Sequence, residues 1–171
     1  MIKLLNWTFV VIAILATACD SEDLTSMRQV DRDFILKASE ANLAEIELGE
    51  LAATKATAPS VRNFGEMMMS EHQAAYEELE SIANDKSTAI TTSINFEHQE
   101  IKQKLTELSG YAFDTAYMRS QIKDHEKTIA LFEAEISNGN DPEVRDHAIE
   151  YLPKIQHHHH KADSISLLIN Q

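Results

Sequence analysis

The chain has 171 residues, room for one domain with a proper core. Four Gly and three Pro are few for a fold with many tight turns, which argues against a strand-rich architecture and for long helices. A net charge of −13 argues against contact with a nucleic-acid backbone, which needs clustered Lys and Arg, so no nucleic acid is expected among its partners.

Residues 1–18 read as a secretory signal. Lys3 supplies a short positive start, 4–16 is mostly apolar, and Ala16-Thr17-Ala18 precedes Cys19. The run is too short and too early for a membrane span. The small residues before the only cysteine resemble a bacterial lipoprotein lipobox, with Ala16 where a Leu is usual and Leu15 one place further out. The other reading is an ordinary signal peptide with a bystander cysteine. Outside the lipobox role that thiol would stand unpaired in an oxidising compartment. Lipidation of Cys19 would anchor the protein to a membrane of a bacterial cell envelope, facing the periplasm or the cell surface. Asp20, Ser21, Glu22 and Asp23 follow, and 19–30 reads as an acidic, solvated tether. The acidic residues also resemble two sorting signals, one for inner-membrane retention and one for surface export.

The domain is expected over 31–171. A first helix is predicted over about 31–55, and Thr57-Ala58-Pro59-Ser60 breaks it. A second covers about 60–84, followed by a polar connection over 85–93. A shorter amphipathic helix over about 96–108 carries Ile101, Leu105 and Leu108, and Ser109-Gly110 ends it. A third long helix runs over about 113–136. Asp141-Pro142 then caps and opens a fourth, which continues to about 168 with Pro153 inside it. The expected fold is all-α: a ferritin-like four-helix bundle of two antiparallel hairpins, joined by a long crossover with a short extra helix.

Each long helix carries one ionisable residue in its apolar stripe. Glu45 sits among Phe34, Ala38, Ala41, Leu48 and Ala52, and His72 among Val61, Met68, Ala75, Leu79 and Ile82. His125 is flanked by Met118, Ile122, Ile129 and Phe132, and His158 by Tyr151, Ile155, Ala162 and Ile165. Stripes of this kind face a bundle core, where an ionisable group is costly unless paired or bound to a metal. Counting from Thr57, Glu45 lies twelve residues back and His72 fifteen on. Counting from Asn140, His125 lies fifteen back and His158 eighteen on. Each mismatch of three residues is ~4.5 Å along the axis, within reach of tilt and side-chain length.

Three imidazoles and a carboxylate could form a shell for one divalent ion: zinc, iron, manganese or copper. The other reading is a buried polar cluster without metal. A di-iron centre of the Glu-x-x-His kind is not expected, because Met69, Ile122 and Ile155 occupy the positions three before the histidines. Glu71 and Asp124, each preceding a histidine, could orient the rings from behind or simply be solvated charges. Met67, Met68 and Met69 read first as core filler. Of His157, His158, His159 and His160, only part can face inward, since successive helical residues fan around the axis. No phosphate loop and no nucleophile signature is visible, so no catalytic residue is assigned and a non-enzymatic role is favoured. Two functions follow. One is an envelope-anchored bundle that binds a metal for storage, sensing or stress protection. The other is a metal-free structural or interaction module that meets another envelope protein. A redox enzyme built on the same ligands is a third, weaker reading.

Several segments also resemble a known family. They are Asp31-Arg32-Asp33-Phe34, Ala44-Glu45-Ile46-Glu47-Leu48-Gly49, Met69-Ser70-Glu71-His72, Gly110-Tyr111-Ala112-Phe113-Asp114, Tyr117-Met118, Asp124-His125, and Leu152-Pro153 followed by His158. In this order they resemble the bacterial domain-of-unknown-function family 4142, whose members are often labelled predicted outer membrane proteins and grouped with ferritin-like folds. The resemblance implies a four-helix domain in the cell envelope and implies no reaction. The histidine run around His158 is unusual for it.

Overall fold

A computed structural model describes residues 27–171. Residues 1–26, including Cys19 and most of the tether, lie outside the described residues. Five helices form the structure: α1 (Gln29–Lys55), α2 (Pro59–Asp85), α3 (Phe96–Glu107), α4 (Gly110–Asn138) and α5 (Pro142–Ile169). Among the described residues there is no strand. None of their helices is long and apolar enough to cross a membrane.

The caps explain the boundaries. Asp141 accepts from the backbone N–H groups of Glu143 and Val144, and Pro142 opens α5. Asn95 caps α3 through the His98 N–H. α2 has no side-chain cap of its own. Asp114 of α4 instead pins the α1–α2 turn just before it, accepting from the N–H groups of Thr57 and Ala58. At the other end, Asp31 of α1 accepts from the N–H groups of Asn140 and Asp141. These two ties fix the topology. The end of α1 lies by the start of α4, and the start of α1 lies by the α4–α5 turn, so α1 and α4 run antiparallel. α2 ends at the Asp141 end of the bundle, where Lys86 pairs with Asp141 at 2.9 Å. The chain must therefore travel the full length of the bundle, about 40 Å for helices of this size, before α4 can begin. The segment 86–95 and α3 make that crossover.

α4 begins at Gly110, three residues before the expected 113. The expected stop signal at Ser109-Gly110 acts on α3, but Gly110, with φ +59°, also starts the next helix at once. α5 runs unbroken through Pro153. The Ile149 carbonyl there lacks its usual helical donor.

α1 packs mainly on α2 and α4 mainly on α5. The α1–α2 contact is backbone-close. A Cβ at Gly49 would lie 2.7 Å from the Gly65 carbonyl oxygen, and one at Gly65 would lie 2.7 Å from the Ala52 Cβ. The core has two apolar halves. One centres on Phe34, Ile35, Leu79, Phe132 and Val144, the other on Leu48, Phe64, Met68, Phe113 and Tyr117. A polar layer separates them, built from Asn42, Glu45, His72, Gln121, His125 and His158, all buried.

Candidate metal centre

His72 of α2, His125 of α4 and His158 of α5 meet in that layer. Their ring centroids stand 5.8, 5.4 and 5.6 Å apart, a nearly equilateral triangle. One nitrogen from each lies within 4.8 Å of the others. The outer nitrogen of each ring is held. His72 Nδ1 lies 2.8 Å from Asn42 Oδ1, His125 Nδ1 2.9 Å from the Gln121 carbonyl oxygen, and His158 Nε2 2.9 Å from Glu71 Oε2. A carbonyl and a carboxylate only accept, so His125 donates from Nδ1 and His158 from Nε2. With the Asn42 oxygen turned to the ring, His72 donates from Nδ1. The lone pairs then fall on His72 Nε2, His125 Nε2 and His158 Nδ1. Those three atoms are buried and have no hydrogen-bond partner among the described residues.

The rings are held neutral. Burial, then the neighbouring His125 and His158, take His72 well below the ordinary imidazole range. Burial takes His125 down to about 4 against the opposing Gln121 carbonyl, and lowers His158 against the opposing Glu71 carboxylate. Three neutral imidazoles with lone pairs aimed together are the donor set of a nitrogen-ligated metal. A triangle no wider than 4.8 Å has its centre at most about 2.8 Å from each nitrogen. Zinc–imidazole bonds are about 2.0–2.1 Å, so an inward shift of about 0.7 Å per ring would close the site. The residues present therefore fit a metal ion.

Glu45 is in the layer but not in the triangle. Its Oε1 stands 3.8 Å from His125 Nδ1, the nitrogen turned to Gln121, and its Oε2 is buried without a hydrogen bond among the described residues. The physical reason is the three-residue offset along α1, which puts Asn42 level with His72. Burial, then the charge of Asp124, push the Glu45 carboxyl up to about 8. Glu71 lies behind His158 and not behind the adjacent His72. Asp124 does not lie behind His125. Its oxygens face Lys127 Nζ at 3.4 Å and His98 Nε2 at 3.8 Å, because adjacent helical residues point about 100° apart. Of the histidine run, only His158 enters the core, while His157 and His160 are exposed. Met68 is core, and Met69 is surface.

Sequence reasoning missed Asn42, His98 and His147. Asn42 had a signal: it is fifteen residues before Thr57 and His72 is fifteen after, so the two are level with no offset. His98 pairs with Glu40 at 2.8 Å, and His147 with Glu78 at 2.9 Å, while Tyr151 donates to the same Glu78. Burial lowers His98, but the Glu40 bond and the charges of Glu40 and Asp124 outweigh it and raise its pKa. Both histidines thus have a carboxylate of their own, unlike the triad's inner nitrogens.

The structure is similar to the crystal structure of a DUF305 fragment from Deinococcus radiodurans, with a TM-score of 0.74 at 12% identity, covering 82% of this chain and 97% of that one. At that identity the likeness is one of fold. No curated protein matches the chain. The sequence model described as "Domain of unknown function (DUF4142)" matches residues 16–165, and the chain belongs to that family.

Proposed function

We propose that this protein binds one divalent metal ion through His72, His125 and His158, with zinc and copper the ions best suited to an all-imidazole set. The observation that carries the reading is the three converging, unpartnered ring nitrogens. Without a cation their lone pairs repel one another in a medium of low polarity. With one, the repulsion becomes ligation, and the outer hydrogen bonds to Asn42, Gln121 and Glu71 hold the rings in the ligating tautomer. Three protein donors leave a fourth position for water or an exogenous ligand. A buried mononuclear site on an envelope-anchored bundle suits metal storage, sensing or stress protection.

The test removes the surface histidines first, with His157→Ala, His159→Ala and His160→Ala, so that adventitious binding does not mask the site. This background should bind one zinc or copper ion per chain and melt lower after chelator. An ion held at a hundred times its Kd should add about 2.7 kcal/mol of stability. His72→Ala, His125→Ala or His158→Ala should each abolish the chelator-sensitive step. Equal metal content in the background and in all three variants would sink the reading.

We propose further that Cys19 is lipidated and holds the domain at an envelope membrane, the reading supported by the lone cysteine after Ala16-Thr17-Ala18. Fatty-acid labelling of the parent but not of Cys19→Ser is the expected result. Equal labelling of both, or of neither, would remove it.

A further inference from the structure

We propose that His98 is a proton-operated clasp: charged, it ties the N-terminal half of α3 to both α1 and α4, and neutral, it keeps the tie to α1 alone. The clasp is independent of the metal-binding reading above. A helix of 12 residues is marginal by itself in water, so α3 is as firm as its attachments. Its two halves are attached differently. From Ile101 on, the grip is apolar. Leu105 is buried, and Ile101 packs half-buried on the same part of the core. Toward the N-terminus the buried side chain is His98, at 8% exposure. Ile94 is buried just before the helix, but Phe96 in its first turn is 73% exposed. A cavity of about 210 Å³ lies between this half of α3, α1 and α4, with Asn95, His98, Asp124 and Leu131 among its walls, so the link to α4 there spans a void.

His98 stands between carboxylates from two helices. Its Nδ1 is 2.8 Å from Glu40 Oε1 of α1, and its Nε2 is 3.8 Å from Asp124 Oδ2 of α4. A carboxylate oxygen only accepts, so the ring answers both sides when both nitrogens carry a proton. A neutral ring has one proton, and Glu40, at hydrogen-bond distance, keeps it. Nε2 then turns a lone pair toward Asp124, and attraction becomes repulsion. Glu97 carries the other ionic ties of this half to α4, with Lys127 at 2.7 Å and Lys123 at 3.9 Å. All three of those side chains are exposed, where ion pairs contribute little. Burial favours the neutral ring. The Glu40 bond, then the charges of Glu40, Asp124 and Glu45, outweigh burial and raise the His98 pKa above its ordinary value. The clasp is therefore complete below pH 6.5 and is lost as pH rises through the folded value.

The full chain tests this by NMR. A side-chain titration gives the His98 pKa. Amide hydrogen exchange at pH 5.5 and 8.5, corrected for intrinsic rates, gives the opening of residues 99–102. The titration should fall above 6.5, and the opening should grow with pH by about tenfold for each pH unit by which it does so. His98→Gln should show the loosened exchange at both pH values. Glu40→Gln should bring the His98 titration down and shrink the pH effect, and it carries the test if His98→Gln does not fold. A His98 titration at or below 6.5 would overturn the clasp. So would an equal pH effect in the parent and in His98→Gln, because another group, such as Glu45, would then be its source.

Discussion

Glu135 offers a sharp test of the packing at the α4–α5 turn. It is 1% exposed, neither of its oxygens has a hydrogen bond among the described residues, and it lies against Gly139, where a Cβ would fall 2.0 Å from Oε1. Burial, then the charge of Asp31, push its carboxyl from 4.5 up to about 7. An unfolded chain gives up this proton near 4.5, whereas the folded chain keeps it to about 7. The stability from holding it is thus complete below pH 4.5 and is lost as pH rises through 7. A shift of that size is worth about 3 kcal/mol, an upper bound because water reaches real interiors. Glu135→Gln keeps the shape and removes the charge. It should leave stability nearly unchanged at pH 5. At pH 8.5 it should stabilise by about 1–3 kcal/mol, or about 2–12 °C in Tm. Urea unfolding of both proteins at the two pH values measures it. A gain of equal size at both, or a loss at pH 8.5, would refute the reasoning.

Asp114→Ala removes the acceptor that ties the α1–α2 turn to α4, and should cost about 1–2 kcal/mol in a urea melt. Ser87 holds φ 52° just past the end of α2, so Ser87→Gly should relieve the left-handed strain and stabilise by about 0.5–1 kcal/mol, read the same way. With His125 already held down to about 4, protons compete weakly for the centre, and zinc affinity in the surface-histidine background should stay nearly flat from pH 7.5 to 6. An affinity that falls over that range, as ordinary imidazoles with a pKa of about 6.5 would give, speaks against the buried centre. Phe34→Ala empties a site where Phe34 meets Phe132 edge-on at 4.9 Å, and should cost about 3–5 kcal/mol in thermal unfolding.

The four long helices were legible because their stripes are long and their breaks carry Pro, Gly and caps at Pro59, Gly110, Asp141 and Pro142. The three histidines were legible for the same reason, since each interrupts an apolar stripe. Glu45 stood out by its charge and drew attention from Asn42, which is neutral and lies next to Ala41 in a stretch of small residues. The pairing of His98 with Glu40 and of His147 with Glu78 was not legible. Each joins different helices, and sequence spacing carries no information about which faces of two helices meet. The start of α4 was misplaced because Gly110 serves as both stop and start, and a single glycine does not say which.

The glycine contact between α1 and α2 acts as a fulcrum. Two helical turns from it, along each helix, stand Asn42 and His72, seven residues from Gly49 and Gly65 respectively. Two rods pressed most closely there share a lever arm of about 10 Å to the imidazole. A methyl group at either glycine has to prise the rods apart there, and the opening is carried along the arm to the Asn42–His72 hydrogen bond. The hold on a histidine of the centre is thus geared to a place where no donor atom sits, and substitutions at the fulcrum would retune the pocket while every ligand stayed the same.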